Sequence, residues 1–290
     1  MTSSTDHDPV PQASVSLREA AAYLDVHYMT AYRYVRTGRL TAQRINGNWR
    51  IAHCDLESLR DEPAPHQRER GTSQPRTAQM LVHRLLRGDE PGGFAVVENA
   101  LASWATPTDV HLELLSPALR TIGDKWASGE ITVAQEHRAS AVALRIIGRL
   151  GPQFLRPGRR RGSVIVGAQC GDPHAIPVAM VADLLRQAGF EVVDLGADVP
   201  PDGFAETAAD ADRLVAVAIG STTGGATDAL RTTVAAVRQR VPGVAVIVGG
   251  AGTEDAGTAE QSGADACSGC SGPALVDMVS DLERPADQTG

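Results

Sequence analysis

Short apolar runs alternate with helical segments through residues 161–285, and this alternation constrains the fold more than any other feature of the chain. The first run is Ser163 to Gly167, and later runs lie at 190–195, 214–219 and 244–248. The runs are rich in β-branched residues and are separated by stretches with helical spacing, which is the pattern of parallel strands joined by crossover helices. We therefore predict a Rossmann-like, doubly wound parallel sheet in this part of the chain.

Two further segments precede the predicted sheet. Residues 76–155 have helical spacing almost throughout, with short breaks at Gly or Pro, which predicts a four-helix bundle. Residues 14–60 predict a winged helix-turn-helix, and the Pro-rich, charged residues 61–75 predict a linker. We expect the polar residues 1–13 to be a disordered tail. The predicted fold class is multidomain α and α/β.

Charge separates the N-terminal segment from the rest of the chain. The 290 residues carry a formal net charge of −8, which argues against a general nucleic-acid-binding surface. Residues 14–60 hold seven arginines against four acidic residues, a local net charge of +3. The polar N-terminus does not resemble a secretory signal, and no apolar run approaches the roughly 18 residues that span a membrane. We expect a reduced, cytoplasmic protein that does not bind membranes.

The basic segment has the pattern of a DNA-binding module. Ser16 and Glu19 predict a capping box at the start of a first helix, and a second helix follows near Tyr28. Asn46-Gly47 between two strand-like runs predicts a hairpin that acts as a wing. The residues expected to contact double-stranded operator DNA are His27, Tyr28, Thr30, Arg33 and Tyr34 on the second helix, with Arg44 and Arg50 on the hairpin. The alternative is a small protein-interaction domain with a solvated basic face.

A loop after the first predicted strand carries Asp172-Pro173-His174. Ligands of open α/β sheets bind outside the carboxyl ends of the strands, so this loop is well placed to bind one. A carboxylate can hold one imidazole nitrogen while the other faces a metal, and imidazole suits cobalt as it suits neighbouring transition metals. Small or hydroxyl-bearing residues end later strands and leave room for a bulky ligand tail; these are Ser221, Thr222, Thr223, Gly249 and Gly250. For His174 alone, the alternative is a loop histidine without a binding role.

The helical segment contains Trp126 and, after nine further residues, Glu136-His137. A turn lies between them, so an indole, a carboxylate and an imidazole are expected at one end of the bundle. This combination suits a flat, partly polar group such as an adenosyl group. The alternatives are a core tryptophan and a solvated Glu-His pair.

The C-terminal motifs resemble the base-off/His-on family of cobalamin-binding domains. The resemblance is carried by the Asp172-to-His174 loop, the run 195–200, the serine-bearing loop at Ser221 and Gly249-Gly250. In that family the histidine replaces the cofactor's own base as the lower cobalt ligand, and the nucleotide tail enters a groove lined by the serine loop and the glycines. The resemblance therefore implies that His174 binds cobalt and that Asp172 supports it.

The order of the three parts resembles a regulator family. Residues 14–60 resemble the MerR/excisionase class of winged domains, and the whole chain resembles the CarH/LitR type of cobalamin-dependent, light-responsive transcription regulators. In that family the Trp and Glu-His cap the upper face of adenosylcobalamin, and light breaks the cobalt–carbon bond and dissociates a DNA-bound tetramer. The resemblance implies a non-enzymatic regulator with adenosylcobalamin as cofactor and a homotetramer as its assembled state. Trp126, Glu136 and His137 would be its cap.

Three positions depart from these families. Pro177 stands where the cobalamin motif has Gly, and Ser221-Thr222-Thr223 lacks the Leu of the Ser-x-Leu motif. Ala127 stands where known light-responsive members have a His, which leaves water, His137 or no fixed group as the upper ligand after light.

Other functions therefore stay open. They are a corrinoid methyl-transfer protein, a cobalamin-sensing regulator that does not respond to light, and a regulator that has lost cobalamin. Cys267-Ser-Gly-Cys270 is a weak signal for a metal, because a second pair of ligands is missing from the motif.

Overall fold

The chain divides into two compact units, residues 1–75 and 76–290. The computed structural model describes residues 14–16, 19–20, 23, 35, 40–45, 48–53, 55–56, 65–225, 227–253 and 257–283. Within these ranges, no helix combines the length and the apolar character that crossing a membrane requires.

The first unit contains a three-stranded antiparallel sheet in the order β1-β3-β2, made of β1 (Ser14–Ser16), β2 (Gln43–Ile45) and β3 (Asn48–Ala52). Ile45 lies opposite Asn48, so the predicted hairpin is confirmed. The pairing of β1 with β3 was not predicted. Ser16 N donates to Glu19 Oε2 at 2.8 Å and Glu19 N donates to Ser16 Oγ at 3.3 Å, which confirms the capping box. The buried apolar residues described in this unit are Ala20, Leu40, Ile51 and Leu56.

The first long helix, α1 (Pro65–Arg87), begins earlier than predicted. Residues 65–75 of the predicted linker 61–75 are therefore helical. The prediction relied on the lack of an apolar period. Gln, Arg and Glu nevertheless have high helix propensity, and proline is well tolerated at the first position of a helix.

The helical part of the second unit continues with α2 (Glu90–Ser103), α3 and α4 (Val133–Leu150). α3 is one continuous helix made of Pro107–Asp109, a π-helical stretch Val110–Leu115, and Ser116–Ala127. With α1, these helices form the predicted bundle around a common apolar core. A short 3₁₀ turn, Gly151–Phe154, closes it.

The rest of the second unit is a doubly wound α/β domain, as predicted. Its five-stranded sheet is parallel and has the order β5-β4-β6-β7-β8. The elements are β4 (Ser163–Ala168), α5 (Ala175–Gln187), β5 (Glu191–Asp194), α6 (Pro201–Asp210), β6 (Leu214–Gly220), α7 (Thr227–Arg240), β7 (Ala245–Gly249), α8 (Gly257–Ser262), β8 (Ala266–Cys267) and α9 (Gly272–Glu283). The order of the strands reverses at β4, which lies between β5 and β6, and ligands bind at such a switch point.

Alternate residues of β4 face two different cores. Val164 and Val166 pack with α5 and α9, whereas Ile165 packs with α6 and α7. The far side of α5 joins the bundle, because Met180 and Leu184 belong to the bundle core. α5 therefore lies between the sheet and the bundle, and the residue that immediately precedes it is His174.

Candidate functional site

The loop between β4 and α5 holds a histidine that is oriented by a buried carboxylate. Asp172 is fully buried, and its Oδ1 lies 2.6 Å from Nδ1 of His174. The His174 side chain is 46% exposed, and its Nε2 has no partner among the described residues. This is the arrangement in which a carboxylate fixes the ring and leaves the other nitrogen for a metal.

Hydrogen bonds from two loops fix the Asp172 carboxylate. Oδ1 also accepts from the backbone N–H of His174 at 3.1 Å, and Oδ2 accepts from the backbone N–H of Thr222. Asp198 supports the loop from the other side, because its N–H donates to the Asp172 carbonyl at 2.9 Å and its Oδ1 accepts from Gly171 N at 2.7 Å. The loop between β4 and α5, here called the ligand loop, is thus hydrogen-bonded to the loops that follow β5 and β6.

A cavity lies beside His174, along the carboxyl ends of β4, β6 and β7. It occupies the switch point of the sheet, where this topology binds ligands. Four of the five residues predicted to receive a ligand tail line it, namely Ser221, Thr222, Gly249 and Gly250. Thr223 is exposed and is not part of the lining.

Two glycines allow the loops around the cavity to approach one another. A Cβ at Gly250 would lie 2.4 Å from the carbonyl oxygen of Ser221, and one at Gly249 would lie 2.3 Å from Oγ of Ser268. Gly250 also has a φ of 108°, which side-chain-bearing residues rarely adopt. A larger residue at either position would displace a wall of the cavity.

Pro177 lines the cavity from the first turn of α5. Proline is tolerated there because the first N–H groups of a helix lack an intrahelical partner. The helix still begins at Ala175, so the departure from the family glycine changes the cavity wall and leaves the helix intact.

Sequence reasoning missed the loop after β8, where Ser268, Gly269, Cys270 and Ser271 line the cavity. Ligands bind outside the carboxyl ends of parallel strands, and β8 is parallel to β7, so the loop after β8 was also a candidate. The sequence signal for this loop was weak because β8 comprises only Ala266–Cys267 and does not stand out as an apolar run.

The end of the bundle presents the predicted aromatic and polar groups. Trp126 lies in the last turn of α3 and is 50% exposed, so it is not a core residue. Glu136 and His137 lie in the first turns of α4, with Nδ1 of His137 2.6 Å from Oε2 of Glu136. The His137 side chain is 75% exposed.

Glu136 connects this end of the bundle electrostatically to the ligand loop. Burial raises the pKa of Glu136, but hydrogen bonds from Ser140 and His137 and the positive charges of His137 and His174 outweigh burial. The pKa therefore lies below its ordinary value. The lowered pKa keeps Glu136 an ionised hydrogen-bond acceptor at neutral pH.

Two of the residues predicted to contact DNA lie on the described hairpin. Arg44 in β2 is opposite Trp49, and Arg50 in β3 is opposite Gln43. Arg50 is exposed. His27, Tyr28, Thr30, Arg33 and Tyr34 lie outside the described residues.

Comparisons with protein families match all three parts of the chain. Residues 162–278 match the model of a B12 binding domain, and residues 77–150 match a second model that is also described as a B12 binding domain. Residues 15–62 match a helix-turn-helix domain.

The similar proteins include corrinoid proteins of Methanosarcina species. Monomethylamine corrinoid protein 2 of Methanosarcina acetivorans is 27% identical over 146 residues, which cover 49% of this chain and 67% of that protein. The trimethylamine corrinoid protein of Methanosarcina barkeri is 31% identical over 114 residues, covering 38% of this chain and 52% of that protein.

One solved structure, the monomethylamine corrinoid protein of Methanosarcina barkeri, has the same fold. It superposes with a TM-score of 0.58 at 24% identity and covers 69% of this chain and 96% of its own. From the family matches, the chain is a cobalamin-binding protein that carries a DNA-binding helix-turn-helix domain.

Proposed function

We propose that the chain is a cobalamin-dependent transcription regulator in which adenosylcobalamin and light control the assembly of a homotetramer and its binding to operator DNA. The observation that carries the proposal is the carboxylate-held His174 beside a cavity in a chain that also has a helix-turn-helix domain. In this proposal the corrinoid is an effector and the chain is not an enzyme.

The residues around the cavity fit a corrinoid. Nε2 of His174 would hold the cobalt, because the buried Asp172 carboxylate engages Nδ1. The cavity would receive the nucleotide tail, with Ser221, Thr222 and the two glycines at its wall. A wall of backbone, hydroxyls and small side chains suits a bulky ligand with many polar atoms.

Trp126, Glu136 and His137 would contact the adenosyl group. The half-exposed indole offers an apolar face for a purine, and the ionised Glu136 can accept hydrogen bonds from ribose hydroxyls. When bound, adenosylcobalamin supplies a cobalt–carbon bond that visible light breaks. A ligand shifts an assembly only through contacts that differ between its two states, and the contacts of these three residues would be lost with the adenosyl group.

Ala127, in the place of the family histidine, has no ligand atom in its side chain. His137 could serve as a second protein ligand of the cobalt, since its Nδ1 is engaged by Glu136 and its ring is exposed. Water or no fixed group are the alternatives.

Two alternative functions each have an observation in their favour. Similarity to proteins named for monomethylamine and trimethylamine favours a corrinoid methyl-transfer protein. The helix-turn-helix match favours the regulator instead. Ala127 favours a cobalamin-sensing regulator that does not respond to light.

The test is DNA binding by the full chain with and without adenosylcobalamin, in the dark and after green light, with oligomer size measured by chromatography. We expect a tetramer that binds promoter DNA in the dark with adenosylcobalamin, and loss of both after light. Corrinoid uptake that changes neither size nor DNA affinity would contradict the regulator and favour methyl transfer. A response to cobalamin without a response to light would contradict the light-sensing part alone.

A hairpin variant separates the two activities. Arg50→Ala removes an exposed cation from β3, and if Arg50 contacts a phosphate the slope of log affinity against log salt should fall by about 1. Corrinoid binding should not change. The matched control is Arg231→Ala, which removes an exposed arginine paired with Asp228 in the second unit and should leave the salt slope as it is. An Arg50 variant with the wild-type slope would remove Arg50 from the DNA interface.

A further inference from the structure

The connection between the helical bundle and the α/β domain is rich in arginine. Its residues 156–161 include four arginines and no acidic residue, a net charge of +4 in a chain whose net charge is −8. The two B12 binding matches end at residue 150 and begin at residue 162, so this connection belongs to neither of them. The corrinoid contacts proposed above do not involve it either.

One of the four arginines has a structural role. The Arg161 guanidinium pairs with Glu283 and lies over the ring of Phe190, 4.4 Å from its centroid. These contacts compensate its charge and fix the C-terminal end of the connection. The fully buried Phe154 fixes the other end. The arginines between these two points are therefore presented on a segment that is held at both ends.

The other three arginines form a patch with a fourth from a neighbouring loop. Arg156 and Arg159 are exposed, and Arg160 is half-buried. Arg160 Nη1 donates to the Arg156 carbonyl at 2.9 Å, and Nη1 of the exposed Arg213 donates to the Arg160 carbonyl at 3.1 Å. Among the described residues, none of these four guanidinium groups forms an ion pair. We call Arg156, Arg159, Arg160 and Arg213 the arginine patch.

Two acidic residues lie near the arginine patch without neutralising it. Glu191 begins β5 and its N–H donates to the Gly162 carbonyl at 2.8 Å, and the Asp212 carbonyl accepts from Ser163 Oγ at 2.6 Å. Neither carboxylate pairs with the patch within the ranges that the structure describes. Other arginines of the same domain each pair with an aspartate, namely Arg186, Arg231 and Arg238. The patch therefore keeps an excess of positive charge.

The arginine patch and the cavity lie at opposite edges of the sheet. Ser163 begins β4 and is paired with Leu214 at the start of β6, so the segments that carry the patch precede both strands. The cavity lies at the carboxyl ends of the same strands. Six residues of β4 separate the two edges, which is about 20 Å. A corrinoid in the cavity therefore leaves the patch accessible.

The chemistry of the arginine patch suits a chain of phosphates. A guanidinium group offers a planar pair of N–H donors that matches two oxygens of a phosphate, and it is more weakly hydrated than an ammonium group. Because the segment is already held at both ends, binding orders little additional backbone. The chain carries a helix-turn-helix domain, so DNA is the phosphate polymer that it is expected to meet.

We propose that the arginine patch is a second DNA-binding surface, which contacts backbone phosphates beyond those bound by the helix-turn-helix domain. The inference goes beyond the proposed function and rests only on its DNA-binding part. The patch belongs to the second compact unit and the helix-turn-helix match lies in the first, so the two contact different phosphates. Such contacts add affinity and salt dependence without reading the base sequence.

The test is the salt dependence of promoter binding by the full chain with adenosylcobalamin in the dark. The variant combines Arg156→Gln with Arg159→Gln, whose guanidinium groups make no contact with the fold among the described residues. The slope of log affinity against log salt should fall by about 2. The control combines Arg231→Gln with Arg240→Gln, which removes the same charge from exposed positions of α7 and should keep the slope. A wild-type slope in the patch variant, or an equal fall in the control, would overturn the inference.

Hydroxyl-radical footprinting separates the two surfaces. The patch variant should lose protection at backbone positions that remain protected in Arg50→Ala, and the losses of slope should add when the substitutions are combined. If both variants lose protection at the same positions only, the patch is not a separate surface and the inference is wrong.

Three further measurements distinguish the ways in which the inference can fail. A changed oligomer size in the patch variant would assign the patch to a contact between copies of the chain. Binding to phosphatidylglycerol vesicles that the variant loses, with an unchanged DNA slope, would assign it to lipid headgroups. Either result would overturn the inference, and cobalamin uptake equal to that of the wild type establishes that the variant is folded. A wild-type chain that binds no promoter DNA would overturn the proposed function together with this inference.

Discussion

Single residues carry most of the chemistry of this chain, and Asp172 is the clearest case. Its carboxylate is fully buried and engages the His174 ring, the His174 N–H and the Thr222 N–H. A buried charge is tolerated when such partners surround it. Asp172 thus sets the direction of the imidazole and links it to the loop after β6.

Asp172→Asn is expected to weaken corrinoid binding about 10–100-fold, the range seen when a partner of a metal-binding histidine is replaced. The neutral amide cannot provide two charged acceptor atoms to these donors. The control is Asp194→Asn. The Asp194 carboxylate is exposed and accepts from Gly196 N at the end of β5, so this substitution should leave corrinoid affinity unchanged. Equal titration curves for the Asp172 variant and the wild type would show that Asp172 does not support the ligand.

Glu136 predicts a dependence of stability on pH. Its pKa is lowered in the folded chain, so its contribution to stability is complete above the ordinary glutamate value and is lost as the pH falls through the folded value. Glu136→Gln should therefore lose less stability than the wild type as the pH falls from about 6 to about 3, as followed by thermal unfolding. The control is Glu98→Gln at an exposed position of α2, which should follow the wild type. Parallel acid profiles for the Glu136 variant and the wild type would contradict this assignment.

The sequence pointed to the candidate site residues that lie within a short motif. Asp172 and His174 are two positions apart in one loop, and Ser221 follows a clear strand, so local pattern was enough. Gln169 and Asp198 were missed because they act through contacts with residues distant in the chain, at 221 and 171. Their residue types carry no signal at the positions where they stand.

At the scale of elements, α5 connects the sheet to the bundle. Besides its apolar contacts with the bundle core, it contributes Asp183, whose Oδ2 lies 3.1 Å from Nε2 of His111 in the π-helical stretch of α3. Both residues are buried. π-helical stretches often accompany functional positions. Here the stretch carries His111, which contacts Asp183 of α5, the helix that follows His174.

Asp183→Ala should lower the free energy of unfolding by about 3 kcal/mol, because it leaves His111 buried without its partner. The matched control is Asp228→Ala, which breaks the exposed pair with Arg231 and should cost less than about 1 kcal/mol. Urea unfolding of both variants measures the difference. Similar losses in the two would mean that the buried pair does not stabilise the junction.

Element types followed from periodicity, whereas some element boundaries and irregularities did not. The long strands and bundle helices had strong apolar patterns and were predicted at nearly the observed positions. The start of α1 was missed because residues 65–75 have helix propensity without an apolar stripe. The strands β1 and β8 are too short to show alternation, and the π-helical stretch has the same apolar spacing as ordinary helix.

At the scale of the whole molecule, two chemically different functions share one acidic chain. Residues 14–60 carry a net charge of +3 and lie in the part that matches a helix-turn-helix domain, and the B12 binding matches lie in the second unit. The domain order was evident from local motifs. The control of assembly by a ligand remains a proposal, because it depends on contacts that differ between two assembled states.

The proposed function depends on binding of cobalt by the His174 imidazole. The direct measurement is the absorption spectrum and affinity of cobalamin bound to the full chain, compared between the wild type and His174→Ala, with circular dichroism to establish that both are folded. We predict a spectral shift on binding to the wild type, and for the variant loss of that shift with an affinity lower by on the order of 100-fold. A folded His174→Ala chain that bound cobalamin with the wild-type spectrum and affinity would contradict the account.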